Sequence, residues 1–347
     1  MTVRKRRILV LMHETLVPPE SLEGYTEKEI NEWATEYDVL AGLQKLGHDV
    51  YQLAVGDDVH VIREAITEIK PHIVVNQLVH FQGIAQYDQH VVSYLELLGQ
   101  PYTGCNPRGL TLCRDKALSK MLLAHHGIVV PKFAVYRLKQ HITLPEGLKY
   151  PMVVKSVAEE ASLGITQASV VSNEQRLKER IQFMRDSYGV DVIVEEYIHG
   201  RELYVGVIGN RRLISYPVWE LPFENLGEGA LPIATERLKW DVNFQKRHKI
   251  ETHRARDLDP VFERRIGRIC KQIYRVLGIT GYARIDLRLA EDGTVFVLEA
   301  NPNPDLKFGE DFAESAEAYG HSYPELLERI LKLGMSYSVQ QQRRARA

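Results

Sequence analysis

The stretch that most constrains the fold is residues 281–304, which read GYARIDLRLAEDGTVFVLEANPNP. Two alternating runs, 282–289 and 295–300, flank Asp292-Gly293. Asp-Gly between such runs is a strong signal for a β-hairpin, because these residues accept the backbone angles of a tight turn. We predict a hairpin with Asp292 and Gly293 as a two-residue loop. Its apolar face would then pack on a core and carry Ile285, Leu287, Leu289, Phe296, Leu298 and Ala300.

The polar face of this hairpin suggests a metal site. A two-residue loop places Asp286 opposite Glu299 and Arg284 opposite Asn301, with all four side chains on one face. Two facing carboxylates repel each other, and a bound cation removes that repulsion. Carboxylate and amide oxygens suit Mg²⁺, which also keeps positions open for phosphates. The alternative is a solvated face neutralised by Arg284 and Arg288, and a three-residue loop would change the pairing.

Composition narrows the class of protein. At 347 residues the chain can form two or three domains. Its 44 basic and 46 acidic side chains nearly balance, so neither nucleic acid nor an acidic membrane surface is expected as a partner. No apolar run is long enough for a signal peptide or a membrane span. The three cysteines lack metal-ligand spacing, which favours free thiols and a cytoplasmic location.

The order of predicted elements indicates an α/β part followed by α+β parts. Strands alternate with helices, including one predicted over 25–46, and this predicts a parallel α/β domain at 1–106. A helix over 114–126 opens a small α+β unit at 107–200. The hairpin belongs to a further unit at 201–335, which ends in a helix over 324–332. Residues 336–347 form a polar tail, and we expect the chain to fray after Gly334.

Two segments could contact a nucleotide. Lys155 ends an apolar strand, and the small-residue segment 159–165 that follows could cradle phosphates with its backbone amides. Glu195 and Glu196 end another strand, where carboxylates could accept hydrogen bonds from adenine or ribose. Taken alone, each segment could equally be a solvated loop without a ligand. The long irregular segment 221–250 is expected to be either functional or disordered.

Together these pieces resemble the ATP-grasp superfamily, and specifically its D-alanine–D-alanine ligase-like branch. Residues 115–120 look like the family's DKxxxK helix entry, and 159–165 resemble its phosphate loop. Residues 195–198 resemble its adenine-binding hinge, and 97–104 its LLGIPYTG segment. The hairpin carries a motif similar to RxD…LExN. The resemblance covers about residues 8–335 and implies an ATP-grasp fold, in which an N-terminal parallel α/β domain precedes two α+β subdomains that clasp ATP.

The resemblance also implies roles for individual residues. Arg284 is the catalytic residue that stabilises the tetrahedral oxyanion. The metal ligands, for two Mg²⁺ or Mn²⁺ ions, are Asp286, Glu299 and Asn301. The residues that contact ATP are Lys116, Lys155, Glu159, Ser162, Gly164, Glu195, Glu196, Ile198 and Glu202.

Departures from the family concern the substrate motifs. The family's HGxxGEDG is replaced by HFQGIAQYD at 80–88, and NxSPGxT becomes NPNPDL at 301–306. Glu310 aligns loosely with a serine that holds the acceptor carboxylate. We therefore expect an ATP-dependent ligase that joins a small-molecule carboxylate and amine, such as amino acids other than two D-alanines. A homodimer is possible by analogy with relatives of this fold. An acid at Asp305 or Glu310 would select a cationic acceptor. The alternatives are a true D-alanine–D-alanine ligase with a rebuilt pocket, or a non-catalytic ATP-binding regulatory protein.

Overall fold

The computed structural model describes the backbone of residues 4–158, 164–223, 231–248 and 250–344, and the side chains in these ranges except those of 239, 240, 242 and 338–344. The predicted ATP contacts Glu159 and Ser162 lie outside the described residues. In the ranges given, no helix is both long and apolar enough to cross a lipid bilayer.

The strands and helices are numbered in chain order. The strands are β1 (Arg7–His13), β2 (Asp49–Val55), β3 (Ile73–Asn76), β4 (Phe133–Tyr136), β5 (Met152–Ser156), β6 (Val170–Val171), β7 (Val192–Glu196), β8 (Arg201–Ile208), β9 (Ile214–Ser215), β10 (Trp219–Leu221), β11 (His253–Arg254), β12 (Tyr282–Leu289) and β13 (Val295–Pro302). The α-helices are α1 (Glu27–Glu32), α2 (Ala34–Lys45), α3 (His60–Ile69), α4 (Asp88–Leu97), α5 (Pro107–Arg114), α6 (Lys116–His125), α7 (Glu174–Tyr188), α8 (Glu236–Trp240), α9 (Val242–His248), α10 (Pro260–Val276), α11 (Asp311–Tyr319) and α12 (Tyr323–Arg344).

The N-terminal sheet is parallel, as predicted, with strand order β2-β1-β3. Residues 8–12 of β1 are fully buried, because helices cover both faces of this central strand. One face packs on α2 and α12, and the other packs on α3 and α4. The predicted helix over 25–46 is instead two helices. A capping box of Thr26 and Glu29 starts α1, and the backbone of Trp33 leaves helical geometry before α2 begins.

The rest of the chain forms two antiparallel sheets that supply opposite walls of a cavity. The first has strand order β4-β7-β5-β6 and packs on α7. The second has strand order β11-β10-β8-β12-β13, with β9 also paired to β8. The parallel α/β region followed by α+β regions confirms the predicted fold class. The three sheets fall within 1–106, 107–200 and 201–335, and we keep these boundaries as a proposal.

Several helices differ from the prediction. The helix expected over 114–126 is α6, which begins at Lys116 because Asp115 caps it through Leu118 N, and Arg114 instead ends α5, which was not predicted. Helix α11 was not predicted. Helix α12 continues past Gly334 to Arg344, although fraying was expected there. A Cβ atom at Gly334 would lie 2.2 Å from the carbonyl oxygen of Tyr102, so glycine allows α12 to pack closely on the N-terminal domain.

Candidate active site

The polar face of the β12–β13 hairpin has the predicted pairing. Asp286 lies opposite Glu299, and Arg284 lies opposite Asn301. Strand β8 pairs with β12 on its other side, so β12 has a hydrogen-bonded strand on both edges, whereas β13 ends the sheet. The facing carboxylates are therefore held together by the backbone ladder despite their repulsion.

The hairpin loop and the strand register that produce this pairing differ from the prediction. The loop has three residues, because Ala290 N donates to Thr294 O at 2.9 Å across Glu291, Asp292 and Gly293. Such a loop alone would shift every pair by one position. A β-bulge restores the register, since the pairing passes from Asp286–Glu299 to Leu287–Val297 and leaves one extra residue in β13. The two-residue loop was thus wrong, and the pairing was right because of the bulge.

The bulge also changes which residues of β13 face the core. Phe296 and Leu298 were expected on the core face, but Val295 and Val297 occupy the core instead. Leu298 lines the cavity next to Glu299. The bulge therefore adds an apolar side chain to the wall of the site, where the sequence pattern predicted only polar ones.

A cavity between the two antiparallel sheets brings together most of the predicted site residues. The predicted residues that line it are Lys116, Lys155, Glu195, Glu196, Ile198, Glu202, Asp286 and Glu299. Strand and loop residues that were not predicted complete the lining, namely Val153, Ser156, Ile165, Tyr197, Ile233, Ala234, Arg288 and Leu298. The predicted residues Gly164, Arg284 and Asn301 do not line the cavity. Gly164 precedes the lining residue Ile165, and Arg284 and Asn301 lie two residues from Asp286 and Glu299 along their strands.

Two lysines, the buried Lys120 and the partly buried Lys155, share the carboxylate of Glu195. Lys120 Nζ lies 3.3 Å from one oxygen, and Lys155 Nζ lies 3.3 Å from the other. Burial alone would raise the pKa of Glu195, but the two ammonium groups lower it below its ordinary value. Burial lowers the pKa of Lys120 despite Glu195, whereas Glu195 and Glu299 outweigh burial and raise the pKa of Lys155. This trio keeps a net positive charge beside the cavity.

Lys120 was not among the predicted site residues. It lies one helical turn after Lys116 on α6, and it also donates to Leu298 O at 2.6 Å. Lys116 itself reaches the polar face of the β12–β13 hairpin, with Nζ 3.7 Å from Glu299 Oε2. The i, i+4 spacing of the two lysines was the sequence signal that could have identified Lys120.

A second buried charge pair closes the end of the cavity near Glu202. Arg288 Nη2 donates to Glu202 Oε2 at 2.7 Å, and Tyr204 Oη donates to the other oxygen at 3.0 Å. Arg288 Nη1 also donates to the carbonyls of Gly200 and Pro232, each at 3.1 Å. Arg288 was missed as a site residue, although its position two residues after Asp286 places it on the same strand face.

Arg284 is held by two carboxylates and an aromatic ring. Its Nε and Nη2 donate to Asp286 at 2.8 and 3.0 Å, and its Nη1 donates to Asp311 Oδ2 at 3.0 Å. The guanidinium also lies over the ring of Tyr204, 4.5 Å from its centre. Burial would lower the pKa of Arg284, but Asp286 and Asp311 more than offset this and raise it. No sequence signal pointed to Asp311, which starts the unpredicted helix α11.

The last two residues of the predicted phosphate loop hydrogen-bond to helix α8. Gly164 N donates to Glu236 Oε2 at 2.8 Å, and Glu236 N donates to Ile165 O at 2.9 Å. Gly164 has a φ of 67°, and a Cβ there would lie 2.9 Å from the ring of Tyr188. The end of the predicted phosphate loop therefore contacts the 221–250 segment at Glu236.

The donor set of the hairpin fits a hard divalent cation. Asp286, Glu299 and Asn301 offer two carboxylates and one amide oxygen on neighbouring strands. In the described ranges, no three His, Cys, Asp or Glu side chains converge as a metal site. The assignment of Asp286, Glu299 and Asn301 as metal ligands therefore stays a prediction.

Several known proteins are similar to this chain in sequence. A family model described as D-ala D-ala ligase C-terminus matches residues 122–332. Uncharacterized protein y4sG of Sinorhizobium fredii (strain NBRC 101917 / NGR234) is 31% identical over 302 residues, which cover 84% of this chain and 85% of the relative. The D-alanine–D-alanine ligase of Desulforudis audaxviator (strain MP104C) is 30% identical over 302 residues, covering 85% and 90%.

Solved structures share the fold. The D-alanine–D-alanine ligase from Bacillus anthracis, complexed with ATP, superposes with a TM-score of 0.75 at 21% identity. The superposition covers 97% of this chain and 99% of the other. The predicted ATP-grasp fold is confirmed.

Proposed function

Since the chain belongs to the D-alanine–D-alanine ligase-like family of the ATP-grasp superfamily, we propose that it joins a carboxylate to an amine through an acyl phosphate, with substrates other than two D-alanines. Membership of this family makes it an ATP-dependent carbon–nitrogen ligase. The observation that carries the proposal is the convergence of two lysines and two facing carboxylates, Lys116, Lys155, Asp286 and Glu299, on one cavity.

In this proposal the cavity holds ATP with its phosphates toward the hairpin. Lys116 and Lys155 supply positive charge to the phosphates, and Glu195 holds Lys155 in place. The hinge residues Glu196 and Ile198 line the adenine side. Glu202 lies at the ribose side, where Arg288 and Tyr204 fix its carboxylate. The apolar side chain of Leu298 packs against the nucleotide between these two sides.

Asp286, Glu299 and Asn301 would hold Mg²⁺. When bound, this ion supplies positive charge to the β- and γ-phosphates during phosphoryl transfer. The chain's own part is to present these three donors in a fixed register, which the bulge of β13 and the pairing of β12 with β8 secure.

The proposed reaction has two steps. An oxygen of the substrate carboxylate attacks the γ-phosphorus, the bond to the β-phosphate oxygen breaks, and ADP leaves. The neutral amine then attacks the acyl carbon of the acyl phosphate, loses a proton, and phosphate leaves as the amide forms. Arg284 stabilises the oxyanion of the tetrahedral intermediate, because Asp286, Asp311 and the Tyr204 ring orient its guanidinium before the reaction. Water must be excluded, and the contact of Gly164 with Glu236 favours closure of the two loops over the site.

The altered substrate motifs support a product other than D-alanyl-D-alanine. The residue aligned with the acceptor-binding serine is Glu310, and its carboxylate lies 3.4 Å from Lys307. An anion at this place disfavours an acceptor carboxylate by charge repulsion. A homodimer is a further prediction, made by analogy with this family.

The test is phosphate release from ATP with Mg²⁺ and pairs of amino acids and amines, with mass spectrometry of the products. Release that needs one particular pair, with a condensed product, would support the proposal. Glu299→Gln should abolish release, because it removes a metal-binding charge while keeping the side chain's shape. Glu291→Gln, in the exposed hairpin loop, is the matched control and should not change the rate. Normal release by Glu299→Gln would refute the site assignment, and a D-alanyl-D-alanine product would refute the substrate proposal.

A further inference from the structure

Arg288 is a buried cation at which three separate segments of the chain meet. It is 4% exposed and lies on β12. Its Nη2 donates to Glu202 on β8. Its Nη1 donates to the carbonyl oxygen of Gly200, just before β8, and to that of Pro232, in the irregular 221–250 segment. One guanidinium group therefore joins β12, the start of β8 and the irregular segment at the cavity.

The carbonyl oxygen of Pro232 also accepts a hydrogen bond from a second residue of the cavity. Tyr197 Oη donates to it at 3.0 Å, and the guanidinium of Arg288 lies 5.9 Å from the centre of the Tyr197 ring. The next two residues of the irregular segment, Ile233 and Ala234, line the cavity. The hydrogen bonds of Arg288 and Tyr197 therefore hold in place the part of this segment that forms a wall of the site.

The carboxylate of Glu202 has acceptor positions left for a ligand. Glu202 lines the cavity, and in the described part of the chain its hydrogen-bond donors are Arg288 at one oxygen and Tyr204 at the other. Since an ionised carboxylate can accept about four hydrogen bonds, about two positions remain. Two adjacent hydroxyl groups, such as those of a ribose, match two adjacent carboxylate oxygens that can each accept one more hydrogen bond.

Arg288 keeps this carboxylate ionised and aligned. Glu202 is only 5% exposed, and Arg288 is the cation that forms an ion pair with it among the described residues. A buried carboxylate without a counter-charge is costly, and protonation would turn one of its oxygens into a donor. The guanidinium also has a fixed direction, because its other terminal nitrogen is held by the carbonyl oxygens of Gly200 and Pro232. An uncharged side chain of similar length would lose both effects.

We propose that Arg288 is a positioning residue that makes this site selective for a nucleotide with both ribose hydroxyl groups. Glu202 accepts hydrogen bonds from the two hydroxyls, and Arg288 holds the carboxylate in place for them while it also holds Pro232 in the adjacent wall. This inference rests on the proposed function and adds a specificity-determining residue to it. The alternative is an ion pair that only stabilises the fold, which predicts no link between Arg288 and the ribose hydroxyls.

The test is calorimetric titration of the full-length chain, in the presence of Mg²⁺, with ADP and with 2′,3′-dideoxy-ADP, which lacks both ribose hydroxyls. Neither nucleotide carries a γ-phosphate, so binding is measured without turnover. The wild type should bind ADP at least about tenfold more tightly than the dideoxy nucleotide, because hydrogen bonds to a charged acceptor are strong. Arg288→Met should reduce this ratio of affinities to about twofold or less, mainly by weakening the binding of ADP.

Two further variants make the test specific to Arg288. Arg288→Lys keeps the positive charge but not the forked guanidinium, so it should fold and show an intermediate ratio of about threefold. Arg201→Met is the matched control. Arg201 precedes Glu202 on β8, pairs with Glu220 and does not line the cavity, so this variant should keep the ratio of the wild type. Thermal unfolding of each variant shows whether it is folded.

Several results would overturn the inference. Equal affinity of the wild type for the two nucleotides would do so and would leave the ligase proposal standing. A folded Arg288→Met protein that keeps the ratio of the wild type, even with weaker binding of both nucleotides, would show a role in stability alone. If Arg288→Met does not fold, an unchanged ratio in Arg288→Lys decides against the inference, as does an equal loss of the ratio in Arg201→Met. If the wild type does not bind ADP, the proposed function fails and this inference fails with it.

Discussion

The carboxylate of Glu195 pairs with two ammonium groups, and we expect Glu195→Gln to be strongly destabilising. Glu195 is 2% exposed, and the nitrogens of Lys120 and Lys155 each lie 3.3 Å from one of its oxygens. The amide of glutamine has the same shape but no charge, and its nitrogen would face one of the lysines. The variant therefore removes the carboxylate that both lysines contact, with almost no change in packing.

The size of the effect follows from what each lysine retains. Breaking a buried ion pair by removing one partner costs about 3–5 kcal/mol, since the remaining charge stays buried. Lys120 keeps the carbonyl oxygen of Leu298 at 2.6 Å, and the side chain of Lys155 is 15% exposed toward the cavity. These contacts favour the lower end of the range, about 3 kcal/mol. In domains of 150–250 residues each kcal/mol changes Tm by about 2–4 °C, so we expect Tm to fall by at least about 6 °C.

The assay is thermal unfolding at pH 7.5, followed by circular dichroism without nucleotide. The control is Glu196→Gln, at the adjacent and more exposed position, where the carboxylate accepts from Lys149 N at 3.0 Å. We expect this control to change Tm by no more than about 2 °C, because solvent can replace its hydrogen bond. The folded-state pKa of Glu195 is lowered. Its stabilisation is therefore present above its unfolded pKa of 4.5 and is lost as the pH falls through the folded-state value.

The difference between wild type and Glu195→Gln should accordingly persist at pH 6–8 and narrow below pH 4.5. Equal Tm shifts for Glu195→Gln and Glu196→Gln would refute the reasoning, as would a difference that widens on acidification. Either result would mean that the lysines are neutral or that water compensates them in the folded protein.

Three further predictions follow from other contacts. Lys155→Ala should weaken ATP binding about tenfold or more, because a phosphate loses a cationic partner, and nucleotide titration would measure this. The control Lys149→Ala, on the exposed surface, should leave ATP binding unchanged. Asp311→Asn should lower kcat about tenfold with the ATP Kd unchanged, since Arg284 loses one charged partner but keeps Asp286; a changed ATP Kd with normal kcat would contradict this. Glu36→Gln should raise Tm at pH 8 and have little effect at pH 5. Burial raises the pKa of Glu36 from 4.5 to about 7, so the folded protein loses roughly 3 kcal/mol of stability as the pH rises from 4.5 to 7, and glutamine avoids this loss; equal effects at both pH values would count against it.

The sequence determined the local features of the site. The alternation of apolar and polar residues around Asp292-Gly293 predicted the hairpin and the polar face of β12, although the pairing of Asp286 with Glu299 depends on the bulge. Strand-helix alternation predicted the N-terminal parallel sheet. These features depend on side-chain periodicity and on the conformations of turn residues, which are properties of short stretches of chain.

Tertiary structure decided the bulge and the long-range partners. A bulge leaves no mark in a run of apolar residues, so the sequence could not show that Val297, and not Leu298, faces the core. Asp311 reaches Arg284 from a helix 27 residues away, and Thr35 on α2 donates to Asp305, which lies 270 residues later in the chain. Such contacts depend on how separate elements pack, because the favourable burial of their apolar faces sets the positions of the charges between them.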